Sequence, residues 1–451
     1  MATEGSAYLM GILQSEHEAK KIVIADDGTF ELQVPAVAPF YSFLNLPYGQ
    51  FDCLLAPDET TQIYINPTEC ARQESKLRRK EAAIGKRVYY AGYLAGLQQE
   101  MADHEPLDIT FAGNYEDYLK TMNQIAGMTP DEFKAYLLRQ MDEKKQLIEA
   151  GSFSQAYREL AHIKLCQSTA SSMARAEALL KEAHILKLQL NSKESSDYYK
   201  NTHIDIPKSY FDCWKEMPQL LSPCACYSST MGDWIQGVSY LPQLPGIVAE
   251  NKDMVQLFQA DRLLLSIQNF NTLSEKQLTE MKTLPEPYRQ LLEAANQKLL
   301  DKMEANKRKV GANIHKIEKV KNEDLFPALI SKFRGHTLLI DFWATWCGPC
   351  KTGHKEMAPM KKEWKDKDIV YIYIAGENSP EGAWKNMIPD IPGEHFRITQ
   401  SQWDYLSKEL GVRGVPTYIF VDKNGNMVHK VVGFPGIDEI KKQLQKAMDA
   451  K

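Results

Sequence analysis

The sequence predicts a multidomain α+β protein, in which a C-terminal α/β domain follows a mainly helical region and a small N-terminal antiparallel β-domain. Short alternating apolar runs fill residues 1–72, helical periodicity fills 73–309, and strands alternate with helices over 325–451. The polar segment 310–324 has no apolar face and is predicted to be a linker. A chain of 451 residues also exceeds one ordinary core, which favours several domains.

The N-terminal region is predicted to form short strands. Two alternating apolar runs in residues 21–34 surround Asp27-Gly28, a pair typical of a tight turn, so we expect a hairpin there. Further strands are expected at 40–46, 52–55 and 61–65, where Gly and Pro separate the apolar runs. The β-sandwich-like domain would end near residue 72.

The long central region is predicted to be helical. Thr129-Pro130 with Glu132 has the spacing of a capping box, and Ser274 with Gln277 repeats that pattern. No repeat of fixed period accompanies these helices. Prolines and aromatic residues interrupt the helical pattern between residues 190 and 246.

Composition excludes several classes of function. The net charge is −5 and basic residues alternate with acidic ones, so we expect no nucleic-acid partner. No apolar run is long enough to span a membrane. The first residues lack the pattern of a signal peptide, so we expect either a cytosolic chain or an exported one whose signal was removed.

The C-terminal domain contains a cysteine pair at a strand-to-helix turn. Predicted strands cover 337–343, 369–374, 396–398, 417–421 and 427–432, and the predicted helices that separate or follow them end near 365, 388, 410 and 449. Cys347 and Cys350 would lie where the first of these strands meets its helix. A helix N-terminus stabilises a thiolate, and the two-residue spacing lets the second thiol attack a mixed disulfide formed by the first.

Other interpretations of the pair are weaker. A zinc site would need a second ligand pair at suitable spacing, which is missing, so we predict no metal and no cofactor. A peroxidase would need Thr or Ser three residues before the first cysteine, where this chain has Ala344. Thiol–disulfide exchange is therefore the favoured chemistry.

The C-terminal domain resembles the thioredoxin superfamily. The matching features are Asp341 on the first strand, the motif in residues 346–351 and the segment 411–417. Residues 376–398 resemble the central insertion of the exported bacterial thiol–disulfide proteins of the TlpA type. The N-terminal region is similar to the β-domain that precedes such modules, with residues 56–61 at a turn of that domain.

This resemblance implies roles for particular residues. Cys347 would be the solvent-side nucleophile, Cys350 the resolving thiol, and Asp341 the buried acid that exchanges a proton with it. The substrate would bind a surface made by the turn and by a loop with a cis proline: Trp346, Gly348, Pro349, Val415 and Pro416. The Gly-Pro dipeptide favours reduction, with a potential nearer about −270 mV than about −120 mV.

The resemblance also implies partners and a compartment. The partners would be a disulfide-containing protein substrate and a thiol electron donor, such as a membrane thiol–disulfide transporter. The compartment would be the periplasm or cell envelope, with the cytoplasm as the alternative. A different class of function also stays open, in which the chain is a scaffold and its thioredoxin-like module serves for docking.

Three positions need separate expectations. Gly353 stands where TlpA-type proteins often have a glutamate, and Tyr373 stands near the position of a lysine in thioredoxins. His354 is expected to be a solvated surface histidine. The sequence therefore does not identify the groups that set the pKa of Asp341.

The remaining cysteines are Cys53, Cys70, Cys166, Cys213, Cys224 and Cys226. Cys224 and Cys226, near Cys213, are expected to be buried apolar thiols. Cys53 and Cys70 flank a predicted turn and could form a disulfide in an oxidising compartment. A metal cluster or second redox centre at Cys224 and Cys226, near Cys213, is the less favoured alternative.

Overall fold

The computed structural model describes residues 4–9, 20–34, 36, 38–75, 77–104, 107–109, 115–190, 192–239, 241–317 and 320–450. The chain divides into two compact units, Met1–Arg262 with Thr283–Arg289 and Leu263–Lys282 with Gln290–Lys451. None of the described helices is long and apolar enough to cross a membrane. The domain boundaries inferred from the sequence remain predictions.

The first unit begins with a four-stranded antiparallel sheet in the order β2-β1-β3-β4. Its strands are β1 (Glu4–Leu9), β2 (Lys20–Val23), β3 (Phe40–Leu46) and β4 (Gly49–Leu55). The turn predicted at Asp27-Gly28 is present, since Gly28 has a φ of +83° and donates its N–H to the Ala25 carbonyl. The expected hairpin is wrong, however, because residues 30–34 are irregular and β2 pairs with β1.

A two-stranded sheet follows, made of β5 (Thr61–Ile65) and β6 (Val88–Gly92). Helix α1 (Pro67–Glu74) and the 3₁₀ helix Arg78–Lys80 lie between these strands, and α2 (Ala95–Asp103) follows. Strand β6 thus lies beyond residue 72, in the region expected to be mainly helical. Buried Gln98 of α2 accepts the Leu54 N–H at 2.8 Å, which attaches this helix to β4.

The helices of the central region are α3 (Tyr115–Ile125), α4 (Pro130–Ala150), α5 (Gln155–Ala174), α6 (Ala176–Leu188), α7 (Ser192–Asn201), α8 (Met231–Ser239), α9 (Gly246–Ala249), α10 (Lys252–Gln268), α11 (Glu275–Lys282) and α12 (Glu286–Asn306). The capping box that starts α4 is confirmed. The proline-rich part forms 3₁₀ helices at Lys208–Glu216, Pro218–Leu221 and Pro223–Tyr227. Two of its aromatic side chains, Trp214 and Trp234, are fully buried in the core of the first unit.

The second unit contains a six-stranded sheet among the described residues, in the order β12-β11-β8-β9-β10-β7. Its strands are β7 (Ala312–His315), β8 (Thr337–Trp343), β9 (Ile369–Ala375), β10 (Gly393–Arg397), β11 (Thr417–Val421) and β12 (Met427–Val432). The predicted strands are confirmed, and β7 is an addition from the segment expected to be a linker. It pairs in parallel with β10.

Helices cover both faces of this sheet. They are α13 (Leu325–Ile330), α14 (Gly348–Glu363), α15 (Glu381–Met387), α16 (Gln400–Glu409) and α17 (Ile437–Asp449), with 3₁₀ helices at Asn322–Asp324, Ser331–Phe333 and Ile388–Asp390. Every residue of β8 is buried, as expected for a central strand covered on both sides. Ile340 packs with α13 and α16, whereas Leu339 packs with α14 and α17. Because side chains alternate along a strand, Asp341 faces α14.

Candidate active site

Cys347 and Cys350 lie at the turn between β8 and α14, as the sequence predicts, and form a disulfide. Cys347 is the N-cap residue of α14, and its Sγ accepts the Cys350 N–H at 3.1 Å. Pro349, in the first turn, has no N–H that would need a partner. The Cys350 N–H and the positive dipole end of α14 therefore lie at the Cys347 sulfur and favour its thiolate.

The two cysteines differ little in exposure. Cys350 is fully buried and Cys347 is only 3 % exposed. Cys347 is thus the more exposed of the two, as expected, but by a small margin. The reason is that the Cys347 sulfur caps the helix and packs among apolar side chains. The exposed part of the turn consists of Trp346, which is 56 % exposed, together with Gly348 and Pro349.

The segment 376–398 holds the dithiol turn in place. Thr345, two residues before Cys347, donates its N–H to Oγ of the buried Ser379 at 3.1 Å. The Ser379 carbonyl in turn accepts Nε–H of Arg397 at 2.9 Å. The structural effect of this segment is to anchor the backbone that presents Cys347.

An apolar cluster surrounds the disulfide. It contains both cysteines with Trp343, Trp384 and Ile388, and Phe270 packs against it. Asn386 fixes the backbone at Phe270 by donating Nδ2–H to its carbonyl at 2.9 Å. A residue of the region expected to be helical spacer thus contributes to the surroundings of the dithiol within the second unit.

The loop before β11 has the geometry that the resemblance implies. The Val415–Pro416 peptide bond is cis. Val415 packs against the cluster that contains Cys347 and Cys350. Four of the five residues expected to bind substrate therefore lie beside the dithiol: Val415 and the exposed turn residues Trp346, Gly348 and Pro349.

Four polar side chains lie in register across the sheet beneath α14. Tyr418 of β11 pairs with Asp341 of β8, Asp341 pairs with Tyr373 of β9, and Tyr373 pairs with His395 of β10. All four are buried. Burial raises the pKa of Asp341, lowers the pKa of His395 to about 4 and raises the pKa of both tyrosines.

The expectation of a solvated His354 is wrong. Its side chain is 6 % exposed, and Nε2 lies 2.8 Å from Oδ2 of Asp341. The reason is helical geometry. His354 lies four residues after Cys350 and three residues before Met357, so all three side chains lie on the same face of α14. This spacing with two buried residues is the signal in the sequence that would have placed His354 on the inner face of α14.

Lys361 supplies a cation near the buried acid. It lies on α14, and its Nζ donates to Oη of Tyr373 at 3.0 Å and to the Pro392 carbonyl. Burial lowers the pKa of Lys361 to about 7, and the charge of Asp341 opposes that shift. The lysine near Asp341 therefore lies on a helix, above Tyr373, and not on the central strand.

The absence of a side chain at residue 353 also has a structural reason. A Cβ at Gly353 would lie 2.5 Å from Oη of Tyr418 and 3.0 Å from Cδ2 of Phe434. Tyr418 and Phe434 thus fill the space that a glutamate would need. Gly353 allows Tyr418 to approach the region of Asp341.

The other cysteines are free thiols in the described part of the chain. The expectation of buried thiols is wrong for Cys213, Cys224 and Cys226, because all three are partly exposed. Cys53 and Cys70 are buried in one core without a bond between them. Burial raises the pKa of Cys226 and, most strongly, that of Cys53, to about 12. Among the described residues, no group of three His, Cys, Asp or Glu side chains could hold a metal ion.

Comparisons with known proteins concern the C-terminal domain. Residues 330–448 match the thioredoxin-like domain family. The thiol-disulfide oxidoreductase ResA of Bacillus thuringiensis subsp. konkukian is 24 % identical over 117 residues, which are 26 % of this chain and 66 % of that protein. The chain thus spans just under two thirds of the ResA protein that it matches.

Two further relatives have similar coverage of this chain. A solved thiol:disulfide interchange protein DsbE from Chlorobium tepidum is 28 % identical with a TM-score of 0.23, and the match covers 26 % of this chain and 84 % of that one. A thioredoxin from Malassezia sympodialis is 31 % identical over 96 residues, which are 21 % of this chain and 68 % of that protein. Through this C-terminal domain, the chain belongs to the thioredoxin family.

Proposed function

We propose that this protein is a thiol–disulfide oxidoreductase that reduces protein disulfides through Cys347 and Cys350. One observation carries the proposal: a cysteine pair lies at a helix N-terminus directly after a strand that carries the buried Asp341. The pair and the acid together supply a stabilised thiolate, a second thiol and a base. Relatives of the same domain are named thiol-disulfide oxidoreductases, which supports the proposal.

The reaction starts from the reduced dithiol. The Cys347 thiolate attacks a substrate disulfide, forms a mixed disulfide and releases one substrate thiolate, which takes up a proton. Asp341 accepts the proton of the Cys350 thiol, and the Cys350 thiolate attacks Sγ of Cys347. The second substrate thiolate leaves and is protonated, so two electrons and two protons reach the substrate. The protein is left with the Cys347–Cys350 disulfide, which is the form in the structure.

The substrate would bind beside the turn. Trp346 offers an exposed apolar surface next to Cys347, and Gly348 and Pro349 are exposed on its other side in the sequence. Val415 would offer backbone hydrogen bonds to an extended substrate chain, and Pro416 would border the dithiol without an N–H of its own. These contacts depend on the backbone of the substrate, which favours a protein substrate with an exposed disulfide.

The remaining parts of the proposal rest on the resemblance to exported TlpA-type proteins. The protein would act in the periplasm or cell envelope and receive electrons from a thiol donor, such as a membrane thiol–disulfide transporter. A fusion of alkaline phosphatase to the gene product, expressed with its native upstream sequence, tests the compartment. Phosphatase activity is expected if the chain is exported, and its absence would favour the cytoplasm.

Disulfide reduction by the purified protein tests the activity. With dithiothreitol as electron donor and insulin as substrate, we expect catalytic turnover in the wild type and loss of turnover in Cys347→Ser. The Cys350→Ser variant should accumulate mixed disulfides, because its resolving thiol is missing. Equal activity of wild type and Cys347→Ser would contradict the proposal and leave the docking-scaffold alternative.

A further inference from the structure

A histidine of α14 contacts the acid that the proposed reaction needs, and its part in that reaction is the further inference, which rests on the proposed function. His354 lies one helical turn beyond Cys350, and Asp341 lies on the strand beneath. Nε2 of His354 and Oδ2 of Asp341 are 2.8 Å apart, and both side chains are almost fully buried. The histidine thus contacts the acid from the helix that also carries the resolving cysteine.

The imidazole is held in one orientation. The indole of Trp343 and the phenol of Tyr373 contact it edge to face, with ring centroids 5.0 Å and 5.3 Å from its own. A neutral imidazole carries one proton, and a carboxylate can only accept. In the ionised state of Asp341, the proton of His354 therefore lies on Nε2.

The second oxygen of the acid has no partner. Within the described part of the chain, Oδ1 of Asp341 and Nδ1 of His354 are buried without a hydrogen bond. Lys361 does not supply a hydrogen bond to Oδ1 of Asp341, since its Nζ donates to Tyr373 and to the Pro392 carbonyl. A buried carboxylate with one free oxygen is destabilised relative to its acid form, and this favours proton uptake at that oxygen.

We propose that His354 is a positioning residue that, by donating its Nε2–H to Oδ2, keeps Asp341 ionised and leaves Oδ1 to accept the proton of Cys350. The transfer converts the Cys350 thiol and the Asp341 carboxylate into a thiolate and a carboxylic acid. The thiolate then forms the bond to Sγ of Cys347, and the departing substrate thiolate takes up a proton. His354 neither gains nor loses a proton in this sequence.

Other groups that face this pair must be considered in any pH dependence. They come from four elements: Cys350 and Lys361 of α14, Tyr371 and Tyr373 of β9, His395 of β10 and Tyr418 of β11. The pKa of each of these tyrosines is raised by burial, and the pKa of His395 is lowered to about 4. Near neutral pH, the tyrosines and His395 thus stay neutral, whereas the charge of Lys361, whose pKa is lowered to about 7, changes.

Titration of Asp341 in variants of His354 tests the proposal. In the reduced protein labelled with ¹³C-aspartate, the Asp341 carboxyl is assigned from the signal missing in Asp341→Asn. In His354→Phe, we expect its titration midpoint to rise by about one pH unit, since a hydrogen bond to the charged form is lost. His354→Gln keeps an N–H donor near the position of Nε2 and should shift the midpoint less.

A kinetic measurement checks the consequence for Cys350. The rate at which Cys350 resolves a mixed disulfide of Cys347 with thionitrobenzoate is followed as a function of pH. The acid limb of this profile should move upward with the Asp341 midpoint in His354→Phe, and the rate at a pH on that limb should fall about tenfold for a shift of one unit. His336→Gln is the matched control, because His336 pairs with Asp368 at the protein surface and should leave both readouts unchanged.

The outcomes separate the two proposals. An unchanged midpoint and acid limb in His354→Phe, even with a lower melting temperature, would overturn the role of His354. If that variant does not fold, ¹⁵N spectra of the wild type decide the question, because a neutral His354 protonated on Nδ1 beside an ionised Asp341 excludes the proposed bond. A shifted midpoint in a protein that reduces no disulfide would instead refute the proposed function alone.

Discussion

The protein places a buried thiol near a carboxylate and tyrosines in two separate regions, and only one of them has the features of a redox site. In the C-terminal domain, Cys350 lies at the N-terminus of α14 with Asp341 on the strand beneath. In the N-terminal sheet, Cys53 lies in the middle of β4 directly after Asp52, near the phenol of Tyr90. The same residue types therefore occur in both regions.

The difference lies in the surroundings of each thiol. Cys350 has a partner thiol in Cys347 and the dipole of a helix, whereas Cys53 has neither, and burial raises its pKa to about 12. Oδ1 of Asp52 accepts the Tyr41 hydroxyl at 2.7 Å, while Oδ1 of Asp341 has no partner among the described residues. The comparison shows that the position at a helix N-terminus and the unpaired carboxylate oxygen, rather than the residue types, distinguish the proposed redox site.

Alkylation rates should show the largest contrast. In the reduced native protein at pH 7, we expect iodoacetamide to modify Cys347 more than about 1,000 times faster than Cys53. A thiol with a pKa of about 12 is ionised about 3,000 times less at this pH than an ordinary thiol with a pKa of about 8.5. Mass spectrometry of peptides after timed quenching measures both rates.

Denaturation provides the control for this contrast. In concentrated guanidinium chloride, both thiols are exposed and should react at similar rates. Comparable rates in the native protein would show that Cys347 is not activated, and the distinction between the two regions would fail.

Removal of the two carboxylates should show the next largest contrast. Asp341→Asn is expected to reduce the rate of mixed-disulfide resolution about 100-fold, because a general base typically contributes about 10²- to 10⁴-fold. Asp52→Asn should change that rate by less than about twofold, since it keeps an oxygen to accept the Tyr41 hydroxyl and lies outside the redox domain. Stopped-flow release of thionitrobenzoate from the Cys347 adduct measures both variants.

Protein stability gives an independent check of Asp341. Because burial raises its pKa in the folded state, the wild type loses stability as the pH rises from the unfolded value through the folded value. Asp341→Asn should therefore be more stable than the wild type at neutral pH, and the difference should vanish below about pH 4. A variant that is less stable at pH 7 would contradict the unfavourable burial of this charge.

A substitution at Gly353 tests how closely Tyr418 packs against α14 above Asp341. Gly353→Ala is expected to destabilise the protein by about 2 kcal/mol, because its Cβ would lie 2.5 Å from Oη of Tyr418. Gly382→Ala is the matched control within α15, since a Cβ there meets no atom within 4 Å and alanine is the better helix former. Urea unfolding should show a stabilisation of up to about 1 kcal/mol for the control. Equal effects of the two substitutions would refute the tight packing.

The two regions also differ in what the sequence could predict. The strands of the redox domain were predictable because their apolar runs are short, uniform and separated by clear turn signals, as in β8, β11 and β12. The hairpin at Asp27-Gly28 was not predicted correctly. The turn forms, but β2 pairs with the earlier strand β1 and not with the residues that follow the turn. Local patterns identify turns, but they do not choose between partners that are remote in sequence.

The candidate site was predicted only in its outline. Cys347, Cys350 and Asp341 follow from motif and position, and the structure places them at one turn and on the strand before it. The contacts of His354 and Lys361 were not predicted, because a polar residue on a helix is most often solvated. Their spacing from Cys350 and Met357 is the signal that was missed, and only the packing of α14 on the sheet shows that these polar side chains contact buried residues.

Lys361 should give the smallest effect. Burial lowers its pKa from 10.5 to about 7, so between these values the unfolded chain binds more protons than the folded one. The stability of the wild type relative to Lys361→Met should therefore increase with pH above about 7, by at most about 1.4 kcal/mol from pH 7 to 8. Exposed Lys362, the next residue of α14, is the matched control, and Lys362→Met should show no such pH dependence. If urea unfolding at pH 7 and 8 gives the same stability difference between wild type and Lys361→Met, the ammonium beside Tyr373 is not desolvated. The contrast between the two regions then rests on the dithiol and the Asp341–His354 pair alone.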